Sequence, residues 1–277
     1  DGVLRINRPH HNNMQNRMKK PVVPCEALRN GVAALSYAAA ATYGTGKTIQ
    51  YRSKDGSYVS TASFAEILKE ASFEDASMAR AAAALSQADV PEQGVKTALI
   101  MLNALLERGA QVGCTEDTWQ QISAMLDFGI SFASRVAAEN NGQVVGGGLT
   151  LLTLCRPMRK YGRDHQCEQA ADVVIYALEQ PLLKLAEAAG FDGYEVFERV
   201  KALAPNQFFS LHQVGIENSI RVDAAHTDYI RVGLDLQKGT IRDLQAAGVM
   251  ENVETVQQVL QFVKQSVKAV LDVASAI

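Results

Sequence analysis

The chain has 277 residues, 47% of them apolar but only 6% aromatic, with a net charge of −3 and a pI near 6.0. It is long enough to bury a sizeable core in one large or two small domains, and that core must be built from Ala, Leu and Val, which favours helices. The charge balance excludes a global pull toward nucleic acid, and no apolar run approaches the roughly 18–20 residues that cross a bilayer.

Residues 1–25 differ from the rest. They carry Arg5, Arg8, Arg17, Lys19 and Lys20 against one acid, with three prolines and no helical period. They read as an extended basic arm; a polyanion contact or the remnant of a targeting sequence is the sharper alternative. The chain opens at Asp1 rather than Met, which fits processing or incomplete coverage of the terminus. From Glu26 a helical period sets in, with Leu28, Val32, Leu35 and Ala39 on one face, and predicts a helix over 26–42 that stops at Gly44 and Gly46. IQYRSKDGSYVS (49–60) reads as a β-hairpin turning at Asp55-Gly56. Helices are predicted near 62–72, 76–89 and 95–108.

Thr115 caps a helix toward Asn140, with Glu116 and Asp117 in its first turn as the helix dipole favours. A helix starting at the triplet Gly146-Gly147-Gly148 is expected to stop before Pro157, leaving RPMRKYGRDHQ (156–166) as a basic, solvated connector. Helices follow near 167–189 and 192–203, with Gly190 at their joint, Pro181 near the start of the stretch ALEQPLLKLAEAAGFDGYEV, and a capping box of Asp192 with Glu195. Residues 204–232 mix alternation with polar stretches and read as strand or ribbon. A stripe of Val256, Val259, Leu260, Val263, Val267, Val270, Leu271 and Ala274 makes the last helix, 253–275, the clearest. The fold class is mainly α, with one or two small β-ribbons.

Two local patterns invite chemistry and fail on spacing. GTGKT (44–48) resembles the end of a P-loop, but Ala41 stands where the motif needs glycine, and a helix precedes it instead of a strand. Cys155, His165 and Cys167 lack a fourth metal ligand. The four cysteines form no CxxC pair and read as free thiols of a reducing intracellular compartment, cytoplasm or organelle matrix.

Several segments, in order from about Glu26 onward, together resemble the equatorial domain of group I chaperonins. EALRNGVAALSYAAAATYGTGK resembles that family's opening helix and its phosphate-holding glycine turn, where Gly44 falls. SKDGSYVS resembles the family's TKDGVSVA, placing Asp55 and Gly56 in its turn. SFEDASMARAAAALSQADVPEQGVKTALIMLNALLERG resembles the segment carrying GDGTTT, with Gly94 and Thr97 kept. GQVVGGGLTLL resembles VVPGGGVAL and contributes Gly147. GLDLQKGTIRDLQAAGVMENVETV keeps the spacing from a purine-contacting Gly-x-Asn turn to a later Asp-Pro, at Asp235 and Glu251. The resemblance implies one equatorial-like domain over 26–277 with an insertion at about 204–232. It also implies a vestigial nucleotide pocket of Gly44, Asp55, Gly56, Gly94, Thr97, Gly147, Asp235 and Glu251.

The departures from the family pattern decide the expected function. Gln93 stands where the family's Asp helps hold the metal ion, Val95 removes a hydroxyl, and Lys96 either neutralises phosphate or fills the site. The second catalytic Asp belongs to the family's intermediate domain, and there is no room for that domain or the apical domain between Asn140 and Gly146. Asp127 is near in sequence, but its spacing to Arg135 does not fit. Asp235 replaces Asn, and Glu251-Asn252 replaces Asp-Pro. The stem loop that closes the family's rings is shorter here, and the chain ends where the family continues into a pairing strand.

The expectation is therefore a structural or assembly protein, self-associating or joining a larger complex, with no catalytic residue, metal or cofactor and no specific nucleic acid partner. The alternative is an ATP- and magnesium-binding protein whose assembly is nucleotide-controlled. A chaperone fragment with folding activity is the weakest reading, because substrate contacts belong to the apical domain.

Overall fold

The computed structural model describes residues 20–138, 140–203, 208–209, 220–221 and 229–275. Its helices, in chain order, are α1 (Glu26–Ala41), α2 (Phe64–Glu70), α3 (Ala76–Leu85), α4 (Val95–Val112), α5 (Glu116–Ala138), α6 (Leu149–Thr153), α7 (Cys155–Asp164), α8 (Glu168–Ala188), α9 (Gly193–Ala202) and α10 (Val253–Ser275). The mainly helical fold read from the sequence is the fold observed. Each long helix lies where its apolar period placed it. The fourth runs on past residue 108 because its apolar face continues through Gly109 and the stop signal is Gly113.

Helix α4 is the axis of the molecule. Ten of its residues, Val95 through Gly109, are buried, so it is covered on nearly every side. Helices α1, α8 and α10 pack around it, α5 lies against α8 and α10, and α7 and α9 flank α8. Small residues let these axes approach closely. The Trp119 ring of α5 rests on Gly109, where an added Cβ would stand 2.4 Å from the ring.

Four two-stranded antiparallel ribbons complete the described residues: β1 (Ile49–Arg52) with β2 (Tyr58–Thr61), β3 (Gln143–Val145) with β8 (Met250–Asn252), β4 (Phe208–Phe209) with β5 (Ile220–Arg221), and β6 (Val232–Asp235) with β7 (Thr240–Asp243). This corrects the expectation of one or two. Strands of two to four residues are too short to display a period of two, and β6 is buried along its whole length, so it shows no alternation. The β4–β5 pair lies within the expected 204–232 ribbon; residues 204–207, 210–219 and 222–228 lie outside the described residues.

Two further expectations are corrected. RPMRKYGRDHQ is not a connector: the chain re-enters a helix at Cys155, with only Leu154 between it and the end of α6. Pro157 sits in the first turn, where a missing N–H costs little. Met158 and Gly162 form the buried face, while Lys160 and Asp164 pair at 2.6 Å in solvent. Pro181 lies buried inside α8, not near a helix start. Among the caps, Asp192 accepts the Glu195 amide at 3.0 Å, but the Glu195 carboxylate turns to Arg199 at 2.7 Å.

Most of the basic arm lies outside the described residues, but its last part folds back on its own domain. The Val22 amide donates to Cys114 O at 2.8 Å, and Trp119 Nε1 donates to Val22 O at 2.8 Å.

Candidate functional site

The fold has two adjoining cores. The larger gathers around α4 and α10; the smaller joins α6, the C-terminal half of α8, α9 and β6 through Leu149, Leu182, Phe197 and Leu234. Between them lies a cavity of about 580 Å³, within the range that takes a small ligand.

Its walls come from six stretches of the sequence, one of them Leu185 on α8. The turn after α1 supplies Tyr43 and Gly44, the start of α4 supplies Gly94 and Thr97, and the loop between β3 and α6 supplies Gly147 and Gly148. The β6–β7 ribbon supplies Asp235, and β8 supplies Glu251. The β3–β8 pairing holds the Gly147 loop and the Glu251 strand in register, with Val144 opposite Glu251. Gly94 is required at its position. It caps α4 with φ 83°, and a Cβ there would come within 2.4 Å of Val259 Cγ2. Helix α10 thus sits directly on the start of α4.

Gly44, Gly94, Thr97, Gly147, Asp235 and Glu251 therefore share one cavity, although they span more than two hundred positions. Asp55 and Gly56 do not join them. They form the exposed β1–β2 turn, which is tied to the end of α2 by Lys54 N to Glu70 O at 3.0 Å and Ser72 N to Arg52 O at 2.8 Å. The Ser57 hydroxyl and amide donate to Asp55 and hold its carboxyl below the usual range. Gln93 is exposed and absent from the cavity lining as well.

The polar groups inside are unevenly partnered. The Tyr43 hydroxyl and Thr97 Oγ1 lie 2.7 Å apart. Burial, and to a lesser extent the nearby Glu251, push the Tyr43 phenol well above its ordinary value, so it stays neutral. Asp235 accepts from the Gln237 amide at 3.0 Å and from Arg242 Nη1 at 3.5 Å, which builds the β6–β7 turn. Lys96 points away, donating to Thr42 O at 3.5 Å, and burial lowers its pKa. Glu251 has no hydrogen-bond or ion-pair partner among the described residues, and burial pushes its carboxyl up from 4.5 to about 7.

Sequence reasoning missed Tyr43, Gly148 and Thr255 in this lining. Two of them adjoin Gly44 and Gly147, so the glycine turns were a usable signal. Thr255 lies on α10 and gave none. Elsewhere, Asp127 pairs with Lys264 at 2.8 Å on another face. Cys155 donates weakly to Leu151 O, and His165 stacks on Tyr161 at 3.8 Å. Burial pushes the Cys114 thiol up to about 11 and raises Cys155 and Cys167 too, which makes them poor nucleophiles and ligands.

Comparison with known proteins agrees with this architecture. Residues 112–277 match the TCP-1/cpn60 chaperonin family. A chaperonin GroEL of Methanospirillum hungatei JF-1 is 26% identical over 158 residues, which is 57% of this chain and 24% of that protein. The match thus spans about a quarter of the relative's length. Helix α5 passes to β3 within a few residues, so no further domain lies between them. The chain belongs to the TCP-1/cpn60 chaperonin family and carries its equatorial-type domain without an apical or intermediate domain between α5 and β3.

Proposed function

We propose that this chain is a structural or assembly subunit built on a degenerate chaperonin equatorial domain, acting within a ring or larger complex without protein-folding activity or ATP turnover. One observation carries the reading: the cavity retains the glycine turns expected to cradle phosphate, but the charges that phosphoryl transfer needs are elsewhere or engaged. Asp55 is spent on its own turn, Asp235 is tied to Arg242, and Lys96 faces away. Burial raises the remaining acid, Glu251, to about 7, so it is incompletely ionised at neutral pH. These residues suit a magnesium-bound triphosphate poorly, since the ion wants ionised oxygen ligands and the phosphates want cations. The four free thiols, two of them buried, support a reducing compartment, cytoplasm or organelle matrix.

Purified protein is expected to release no phosphate from Mg-ATP above the protein-free background. Turnover that vanishes in Asp55→Ala overturns the non-hydrolysing reading. Assembly is tested separately by light scattering. Full-length protein is expected to exceed the mass of one 30.0 kDa chain, and deleting residues 1–20 to reduce that excess. If both forms stay monomeric at high concentration and no partner co-purifies, the assembly reading fails.

A second reading is favoured by the shared cavity itself. Gly44, Gly94, Thr97 and Gly147 lie together on its walls, which is where a nucleotide-controlled assembly protein would keep them. Binding of a fluorescent ATP analogue, strengthened by Mg²⁺, would favour it over the first.

A further inference from the structure

The cavity's charge is opposite to what a polyanion requires. Its lining holds two acids, Asp235 and Glu251, and among the described residues no Lys, Arg or His. Asp235 already has Arg242. Glu251 is half-buried with no side-chain partner among the described residues, and a carboxylate withdrawn from water without a counter-charge is costly. Leu185, Leu234, Val256 and Val259 give the same cavity apolar walls, and Tyr43 and Thr97, whose hydroxyls lie 2.7 Å apart, line it too. A partly open cavity with apolar walls and one acid that no described residue pairs is a setting that recognises an apolar cation.

We propose that this cavity binds a small organic amine, its ammonium group against the Glu251 carboxylate and its apolar body on Leu185, Leu234, Val256 and Val259. The amine supplies the counter-charge that the described residues do not, and the Tyr43 and Thr97 oxygens offer it further acceptors. Other titratable groups nearby leave Glu251 as the responsive one. Tyr43 stays neutral because burial raises its phenol; Asp235 is held by Arg242; Lys96 is turned to Thr42; Glu254, three residues on in α10, is exposed. The inference stands whether or not the chain assembles.

The test is a fluorescence titration with dansylcadaverine, a ring system bearing a primary ammonium, against the anionic dye ANS. Dansylcadaverine is expected to bind about tenfold more tightly at pH 8.5 than at pH 6, as Glu251 ionises. Butylamine should displace it and butyrate should not. Glu251→Gln should abolish both the tight binding and its pH dependence. Absence of saturable binding, equal affinity in Glu251→Gln, or displacement by ANS as effective as by butylamine each overturns the proposal. Should Glu251→Gln fail to fold, the pH dependence and the butylamine-butyrate contrast in the native protein decide it.

Discussion

Gly31→Val is expected to destabilise the protein by about 3 kcal/mol and to lower its Tm by roughly 6 °C or more. Gly31 lies on the buried face of α1, where α3 crosses it. A Cβ at that position would stand 2.0 Å from the Ser77 carbonyl oxygen and 2.8 Å from Ala81 Cβ. The first obstacle is backbone, so no rotamer change relieves it; the two helices must separate. Separation would open the contact along Val32 and Leu35, both fully buried, so lost packing adds to the clash. Ala33→Val is the control. Ala33 is exposed on the same helix, and the change there costs only the few tenths that a β-branched residue loses in a helix. Similar melting temperatures for the two variants would show that α1 and α3 are not in the close contact described.

The helices were legible because each buries one continuous face. The stripe from Val256 to Leu271 and the pattern from Leu28 to Ala39 leave no other regular structure that hides so much apolar surface. Helix α7 was not legible because its signals conflict. Its buried face is only Met158 and Gly162, set among charges and behind Pro157. Tertiary contact with α8, where Gly162 meets Ala171, outweighs that local reading. At the cavity, the glycines and their spacing brought Gly44, Gly94 and Gly147 together correctly. The placement of Asp55 was not recoverable in this way, because an Asp-Gly turn has the same sequence whether it points at a cavity or away. Its direction is set by backbone bonds from Lys54 and Ser72 to neighbours outside the motif. The isolation of Glu251 was equally hidden: it depends on which side chains fail to reach a three-residue strand.

That isolation makes stability depend on pH in a defined direction. The native Glu251 carboxyl titrates at about 7 and its ordinary value is 4.5, so the folded chain keeps a proton that the unfolded chain has already released. Below 4.5 both states hold the proton and there is no penalty. As pH rises through the window from 4.5 to about 7, stability falls, and above it the loss is complete. The full loss is about 3 kcal/mol, on the usual conversion of pKa differences to free energy. Glu251→Gln keeps the shape and removes the titration. The variant is therefore expected to melt close to the native protein at pH 5 and roughly 6 °C or more above it at pH 8. Taking the difference between the two proteins at each pH cancels every other titrating group. A difference that stays constant from pH 5 to pH 8, or that shrinks as pH rises, would mean that Glu251 is solvated or paired. It would then not be the free buried acid on which the cavity's preference for a cation depends.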